Sequence, residues 1–158
     1  MASCSTNNEW VVMESTINEG LHDIELIGNK TALAYGYGSG NLYKSTNAGK
    51  NWQKIYQFDS IYFEQIQFLD KQNGWIIGSP NIIFTSKDGG NSWIEKSIKQ
   101  EENSSYPLVY GMYFEDKSTG FVAAANKTDS GYISNIYKTN NGGDEWNLIN
   151  VIDGTILN

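Results

Sequence analysis

"SKDGGNSW", residues 86–93, places a hydroxyl, an acid, two glycines and a tryptophan within eight positions. Near copies stand at 45–52, "STNAGKNW", and at 139–146, "TNNGGDEW". All three fit Ser/Thr-x-Asp/Asn-x-Gly-x-x-Trp, a pattern that predicts a closed turn between two strands. The Asn or Asp side chain (Asn47, Asp88, Asn141) accepts from backbone N–H groups two or more residues ahead, and the hydroxyl (Ser45, Ser86, Thr139) adds a second local bond. The glycine (Gly49, Gly90, Gly143) supplies a positive φ that a β-carbon would penalise. The tryptophan (Trp52, Trp93, Trp146) is expected to bury its ring between neighbouring sheets.

Outward from these turns the chain is periodic. Trp10, Trp52, Trp93 and Trp146 are spaced 42, 41 and 53 residues apart. Before each of the three complete octapeptides come three short runs: "LHDIELI", "IYFEQIQFL" and "PLVYGMYF"; then "TALAYGYG", "GWIIGS" and "GFVAAAN"; then "NLYKS", "NIIFTS" and "YISNIYKT". A fourth run begins at the tryptophan: "WQKIYQF", "WIEKSIK" and "WNLINV". Short alternating runs rich in aromatic and β-branched residues, punctuated by Gly, Asn and Asp, read as strands. Four such strands per repeat predict an all-β chain, a β-propeller of four-stranded antiparallel blades. The blades are expected at about 20–58, 60–99 and 106–151. The longer last interval is assigned to two polar insertions, 99–106 and 126–132, both expected to be loops.

The ends extend the pattern. Residues 1–8 read as a disordered or lipoprotein-like terminus, and 9–158 as a partial propeller in which 9–16 is the outer strand of a preceding or closing blade. "IDGTILN" (152–158) resembles the approach to another first strand. Three blades cannot cover their own flanks, so the expectation is a piece of a longer protein or a protomer that completes its ring with another copy.

Composition excludes several classes. The net charge is −7 and all eleven basic residues are lysine. That argues against nucleic acid and against anionic lipid surfaces. No apolar run reaches the 18 or so residues of a membrane span. Cys4 is the only cysteine and His22 the only histidine, so no disulfide or Cys/His metal site is expected. "MASC" permits a lipid anchor at Cys4, or a plain thiol in a loose terminus. The boxes lack the alternating ligands and closing Glu of a calcium loop. "GYGSGN" (36–41) lacks the glycine spacing of a phosphate loop and reads as the turn between second and third strands. No cofactor is expected. Three Asn-x-Ser/Thr sequons, at Asn29, Asn103 and Asn126, are expected by chance in this composition.

The octapeptides resemble Asp-boxes, the bacterial neuraminidase repeats found in propellers of sialidases, sortilin-type receptors, some glucan hydrolases and photosystem II assembly/stability factors. "GWIIGSPNIIFTSKDGGNSW" (74–93) resembles the last group most. The resemblance covers residues 9–158 and implies a box that fastens the blade on the face opposite the ligand entrance. It also implies an arginine clamp for a sialidase, and an arginine-rich client patch for a photosystem factor. This chain has no arginine. A glucan hydrolase needs two carboxylates across a cleft, and the candidates are Asp23, Asp59, Glu64, Glu115 and Asp129. None stands in a distinguishing context. His22, the one potential general base, falls in an alternating strand where a surface or inter-blade role is expected.

The expected function is therefore a noncatalytic binding or scaffold protein outside the cytoplasm (periplasmic, cell-surface or secreted), recognising a protein or glycan partner. A fragment of a glycoside hydrolase is the alternative. In a propeller the entrance loops join strands two and three (36–41, 78–81, 126–132) or successive blades (17–21, 57–61, 99–106). The binding candidates there are Tyr37, Asp59, Asn81, Tyr106, Lys127, Asp129 and Tyr132, tyrosine offering contact area with little entropy to lose.

Overall fold

The computed structural model describes residues 15–99, 108–128 and 131–153. These form three four-stranded antiparallel sheets, each with its strands in sequence order. The first holds β1 (Leu21–Leu26), β2 (Ala32–Gly36), β3 (Asn41–Ser45) and β4 (Gln53–Gln57). The second holds β5 (Tyr62–Phe68), β6 (Gly74–Ser79), β7 (Ile82–Ser86) and β8 (Ile94–Lys96). The third holds β9 (Leu108–Phe114), β10 (Gly120–Thr128), β11 (Gly131–Thr139) and β12 (Asn147–Asp153). The first strands stand side by side, β1 against β5 and β5 against β9. This is a partial β-propeller, as the four-run repeat predicts.

The second strands are the core. β2 is buried at all five positions and β6 at all but its last, because each lies inside a sheet and between two sheets. Alternate side chains therefore serve two different cores. Leu33, Tyr35 and Leu42 of the first blade meet Phe63, Ile66, Ile76 and Phe84 of the second. Trp75, Ile77 and Ile83 of the second meet Met112, Phe114, Val122 and Tyr137 of the third. The hydrophobic effect thus acts between blades rather than inside them.

A first strand is also a sheet edge with unpaired backbone groups. In the second and third blades it is capped by the blade before it. Glu25 Oε1 accepts the Phe68 N–H at 2.8 Å. Gln65 Oε1 accepts that of Met112 at 2.8 Å. Gln67 takes both groups of Phe114, its Oε1 accepting N–H at 2.7 Å and its Nε2 donating to C=O at 3.0 Å.

One expectation fails in the third blade. Within the expected loop 126–132, residues 126–128 and 131–132 are strand: β10 and β11 run on through Asn126↔Ile133, Lys127↔Tyr132 and Thr128↔Gly131. The strand pairing extends past the polar residues because Thr and Tyr are good strand formers. At the other end, Thr16 donates to the Trp52 carbonyl at 3.1 Å, and Glu19 accepts from Asn41 at 2.7 Å and from Tyr43. Residues 16–19 therefore run along the flank of the first sheet. Cys4, Trp10 and most of 9–16 lie outside the described residues, as do Glu101 and Glu102.

The repeat "Gly-aromatic" has a packing cause. A β-carbon on Gly120 would stand 2.6 Å from Phe114 ring atoms, and one on Gly74 would stand 2.4 Å from the Phe68 ring. The first blade pairs Leu26 with Ala32 at this register, so no ring needs the space. The Phe114 ring is held against Trp75 at 3.8 Å and 13° and cannot retreat. Gly120→Ala should therefore destabilise by about 1–3 kcal/mol in urea unfolding. Combined with Phe114→Leu, the loss should be smaller than the sum of the two single losses, a coupling expected only for residues in contact.

Candidate functional site

The two edges of the blades differ in construction. At the box edge, the three octapeptides share one hydrogen-bond set. The buried hydroxyls of Ser45, Ser86 and Thr139 each accept the N–H four residues on, from Gly49, Gly90 and Gly143, all at 2.9 Å. Each also donates to its own Asn or Asp, at 3.0, 2.9 and 2.9 Å. The Asn or Asp then accepts from the chain ahead, Asn47 from Asn51, Asp88 from Asn91 and Ser92, and Asn141 from Glu145.

The box glycines have φ of 80°, 77° and 95°, as expected. The residue before each is left-handed too: Ala48 at 59°, Gly89 at 71° and Gly142 at 75°. Its N–H donates to the carbonyl of Lys30, Gln72 or Ser118 in the turn between first and second strands of the same blade. In the second and third boxes its carbonyl is taken by the preceding blade: Lys44 Nζ donates to Gly89 O, and Trp75 Nε1 donates to Gly142 O, both at 2.8 Å. The second and third octapeptides are three-way fasteners, joining their own hairpin, the neighbouring turn and the blade before.

The tryptophans are less enclosed than expected. Trp146 is buried, but Trp52 and Trp93 are only half-buried. Trp146 and Trp93 lie edge-on to Phe114 and Phe68 of their own blades, at the border of the two inter-blade cores. The indole N–H groups of Trp93 and Trp146 are buried without a hydrogen-bond acceptor, and nothing in the structure explains this.

A second turn motif went unnoticed in the sequence. "DKQN" (70–73) and "DKST" (116–119) close the turns between first and second strands. Asp70 accepts from Gln72 and Asn73, and Asp116 from Ser118 and Thr119. Lys117, by its hydrogen bond, and then these backbone donors hold the Asp70 carboxyl far below the ordinary aspartate range.

The opposite edge carries the predicted entrance residues. Tyr37 is 75% exposed, and Asp59 is exposed in the β4–β5 connection. Asn81 does not protrude: it is 4% exposed at φ 47°. Its amide brackets Ile98, donating to C=O at 2.8 Å and accepting N–H at 3.1 Å, so it is a structural clamp. Lys127 and Tyr132 face each other across the β10–β11 hairpin rather than standing in a loop. Tyr106 and Asp129 lie outside the described residues.

Sequence reasoning missed the feature that joins these residues. Each first strand has a bulge at the same place, leaving His22, Glu64 and Tyr110 without a partner on the second strand. The signal was the alignment of "LHDIEL", "FEQIQF" and "VYGMYF", visible only in register. A bulge re-aims its side chain and bends the strand. His22 lies edge-on to Tyr35 at 5.4 Å and to Tyr37 at 5.6 Å. Tyr35 donates to the Glu64 carbonyl at 2.7 Å, which ties two bulges together. Tyr62, 57% exposed, lies against the β2–β3 turn at Gly38. His22, Tyr37 and Tyr62 thus gather at the junction of the first two blades. Of the other carboxylate candidates, Asp23 binds the N–H of its own neighbour Ile24, and Glu115 stands in the β9–β10 turn at the box edge, remote from Asp59.

Three four-stranded antiparallel sheets set face to face, each closed by the same turn and entered by a bulged first strand, define a β-propeller. The family model described as Sortilin-Vps10 (sortilin, neurotensin receptor 3) matches residues 40–153, and the chain belongs to that family. It is 30% identical over 123 residues to photosystem II stability/assembly factor HCF136, chloroplastic, of Oryza sativa subsp. japonica, a match covering 77% of this chain and 26% of that protein. The structure titled "YCF48 bound to D1 peptide" superposes with a TM-score of 0.64 at 20% identity, over 90% of this chain and 43% of that one. The GH74 xyloglucanase of Xanthomonas campestris shares the fold at a TM-score of 0.66 and 12% identity, over 83% of this chain and 21% of that one. The chain thus spans about a quarter of its rice relative's length.

The Asp88 carboxylate is pushed up by burial, but hydrogen bonds led by the Ser92 hydroxyl outweigh this and hold it below the ordinary aspartate value. A lowered folded value means that its stabilisation is present above the unfolded pKa and is lost as pH falls through the folded one. Asp88→Asn, which supplies the residue of the other two boxes, should stay within about 1 kcal/mol of the parent at pH 7 and should flatten the acid limb of stability against pH. Asp88→Ala should lose about 1–3 kcal/mol in the same urea titrations, because four donors lose their acceptor.

Proposed function

We infer that this chain is a noncatalytic propeller module that holds a protein partner against its entrance edge, as a scaffold or assembly factor does. The observation that carries this reading is the pair Tyr37 and Tyr62 at the junction of the first two blades, exposed at 75% and 57%. Exposed tyrosines on a rigid sheet scaffold give contact area at low entropic cost, the composition of a protein-binding face. The description of the rice relative as a stability/assembly factor supports the same class. A photosystem client of the arginine-patch kind does not fit, since the chain has no arginine.

In this reading the protein works outside the cytoplasm, with Cys4 available for a lipid. It has further blades, from the same gene or a second copy, covering the third sheet's outer face. There Phe121 and Ala123 occupy the register of Trp75 and Ile77. A glycan partner or a hydrolase segment remains the alternative; likeness to the xyloglucanase extends to fold alone.

Peptides selected from a phage-displayed library on the immobilised chain should bind the Tyr37→Ser/Tyr62→Ser variant at least tenfold more weakly, with its thermal melt unchanged. Equal binding to the variant would contradict the proposed face. Aryl-glycoside turnover lost on Glu64→Gln would overturn the noncatalytic reading.

A further inference from the structure

The junctions between blades one and two, and between blades two and three, are built to one plan at the box edge but carry opposite charge chemistry. At the second junction two ion pairs close the cleft. Lys117 of the third blade meets Asp70 of the second at 2.9 Å, and Lys96 of the second meets Asp144 of the third at 2.7 Å. Trp75 fills the space behind them, and about 50 Å³ remains.

At the first junction both acids are missing. In repeat register Gly28 replaces Asp70, and Asn91 replaces Asp144. Lys71, the counterpart of Lys117, still crosses from the second blade to the first. Its Cε lies 3.5 Å from where a Gly28 β-carbon would be, but no carboxylate is there to meet it. Two more lysines are added, Lys30 in place of Gln72 and Lys44 in place of Thr85. All three line one cleft of about 560 Å³, together with Gly28, Asn29 and Asn91.

Asp88 also lines that cleft, yet its oxygens are occupied. Ser86 Oγ, Ser92 Oγ and the N–H groups of Asn91 and Ser92 all donate to it. Among the described residues no carboxylate forms an ion pair with Lys30, Lys44 or Lys71. Lys44 is half-buried and fixed by bonds to Gly89 O and to Asn91 Oδ1 at 2.6 Å, so one cation is held in place. The net charge of −7 hides this local excess of positive charge. At physiological salt, screening over about 8 Å separates the cleft from acids elsewhere.

We propose that the cleft between the first and second blades at the box edge, lined by Lys30, Lys44 and Lys71, binds a phosphate or sulfate group. Lysine ammonium groups act as point charges toward such oxyanions, and the neighbouring amides Asn29 and Asn91 supply orienting contacts. The volume lies in the range of small-molecule sites and exceeds that of a bare ion, so the anion is carried on a polar body such as a sugar. The cleft opens on the edge opposite Tyr37 and Tyr62, and either site can exist without the other.

The test is an amide NMR titration of the whole chain with inorganic phosphate, inorganic sulfate, acetate and chloride at matched ionic strength. Saturable shifts centred on Gly28, Asn29, Gly89 and Asn91 are expected with phosphate or sulfate, and the stronger of the two identifies the anion. Acetate should bind at least tenfold more weakly, and chloride should give no saturation. Asn91→Asp, which restores the acid of the closed junction beside Lys44, should weaken binding tenfold or more while leaving the thermal melt unchanged. Lys71→Gln should weaken binding too, and Lys117→Gln should not. Shifts that are equal in chloride, or indifferent to Asn91→Asp and Lys71→Gln, would overturn the proposal.

Discussion

A buried hydroxyl at the head of each octapeptide sets the rest of the architecture. Ser45, Ser86 and Thr139 are 1%, 3% and 0% exposed, and each both donates and accepts within its own turn. Satisfying that group requires two consecutive left-handed residues. Those residues in turn aim one N–H at the neighbouring turn and one C=O at the preceding blade. A local hydrogen-bonding requirement is thereby converted into blade-to-blade contact. Once the blades are set face to face, alternate residues of β2 and β6 can be buried on both sides.

Repetition preserves the backbone of this device and lets its side chains diverge. The carbonyl before the box glycine is met by an ammonium at one junction and an indole at the other. First-strand edges are capped by Glu25 once and by glutamine twice. Burial raises the Glu25 carboxyl above its ordinary value, ahead of the opposing effect of the Phe68 N–H. A neutral amide does the same capping without that desolvation penalty. Each junction is therefore an independent variation on one frame, and variation in charge is what separates an open cleft from a closed one.

The strands were legible because alternation and turn residues are local signals. All twelve appear within a few residues of the runs that announced them. The box chemistry was legible for the same reason, except that Ala48, Gly89 and Gly142 share the left-handed region with the glycines that follow. What escaped depends on register between strands or blades. Asn81 looked like a surface turn residue because nothing nearby in sequence shows that its amide closes on Ile98. The bulges at His22, Glu64 and Tyr110 are invisible without pairing. The lysine cleft needs "GNKT" set against "DKQN" before the lost aspartate can be seen. The tail of the third repeat escaped for a different reason: turn-forming composition points to a loop, whereas pairing continues through 126–128 and 131–133.

Native-state hydrogen exchange of the box amides tests the central claim most directly. The Gly90 and Gly143 N–H groups, bonded to buried hydroxyls, should exchange as slowly as those of Ile76 and Val122 in the core strands. Exchange at the rate of Gly38, in an open turn, would show that the octapeptides only connect strands and do not hold the blades together.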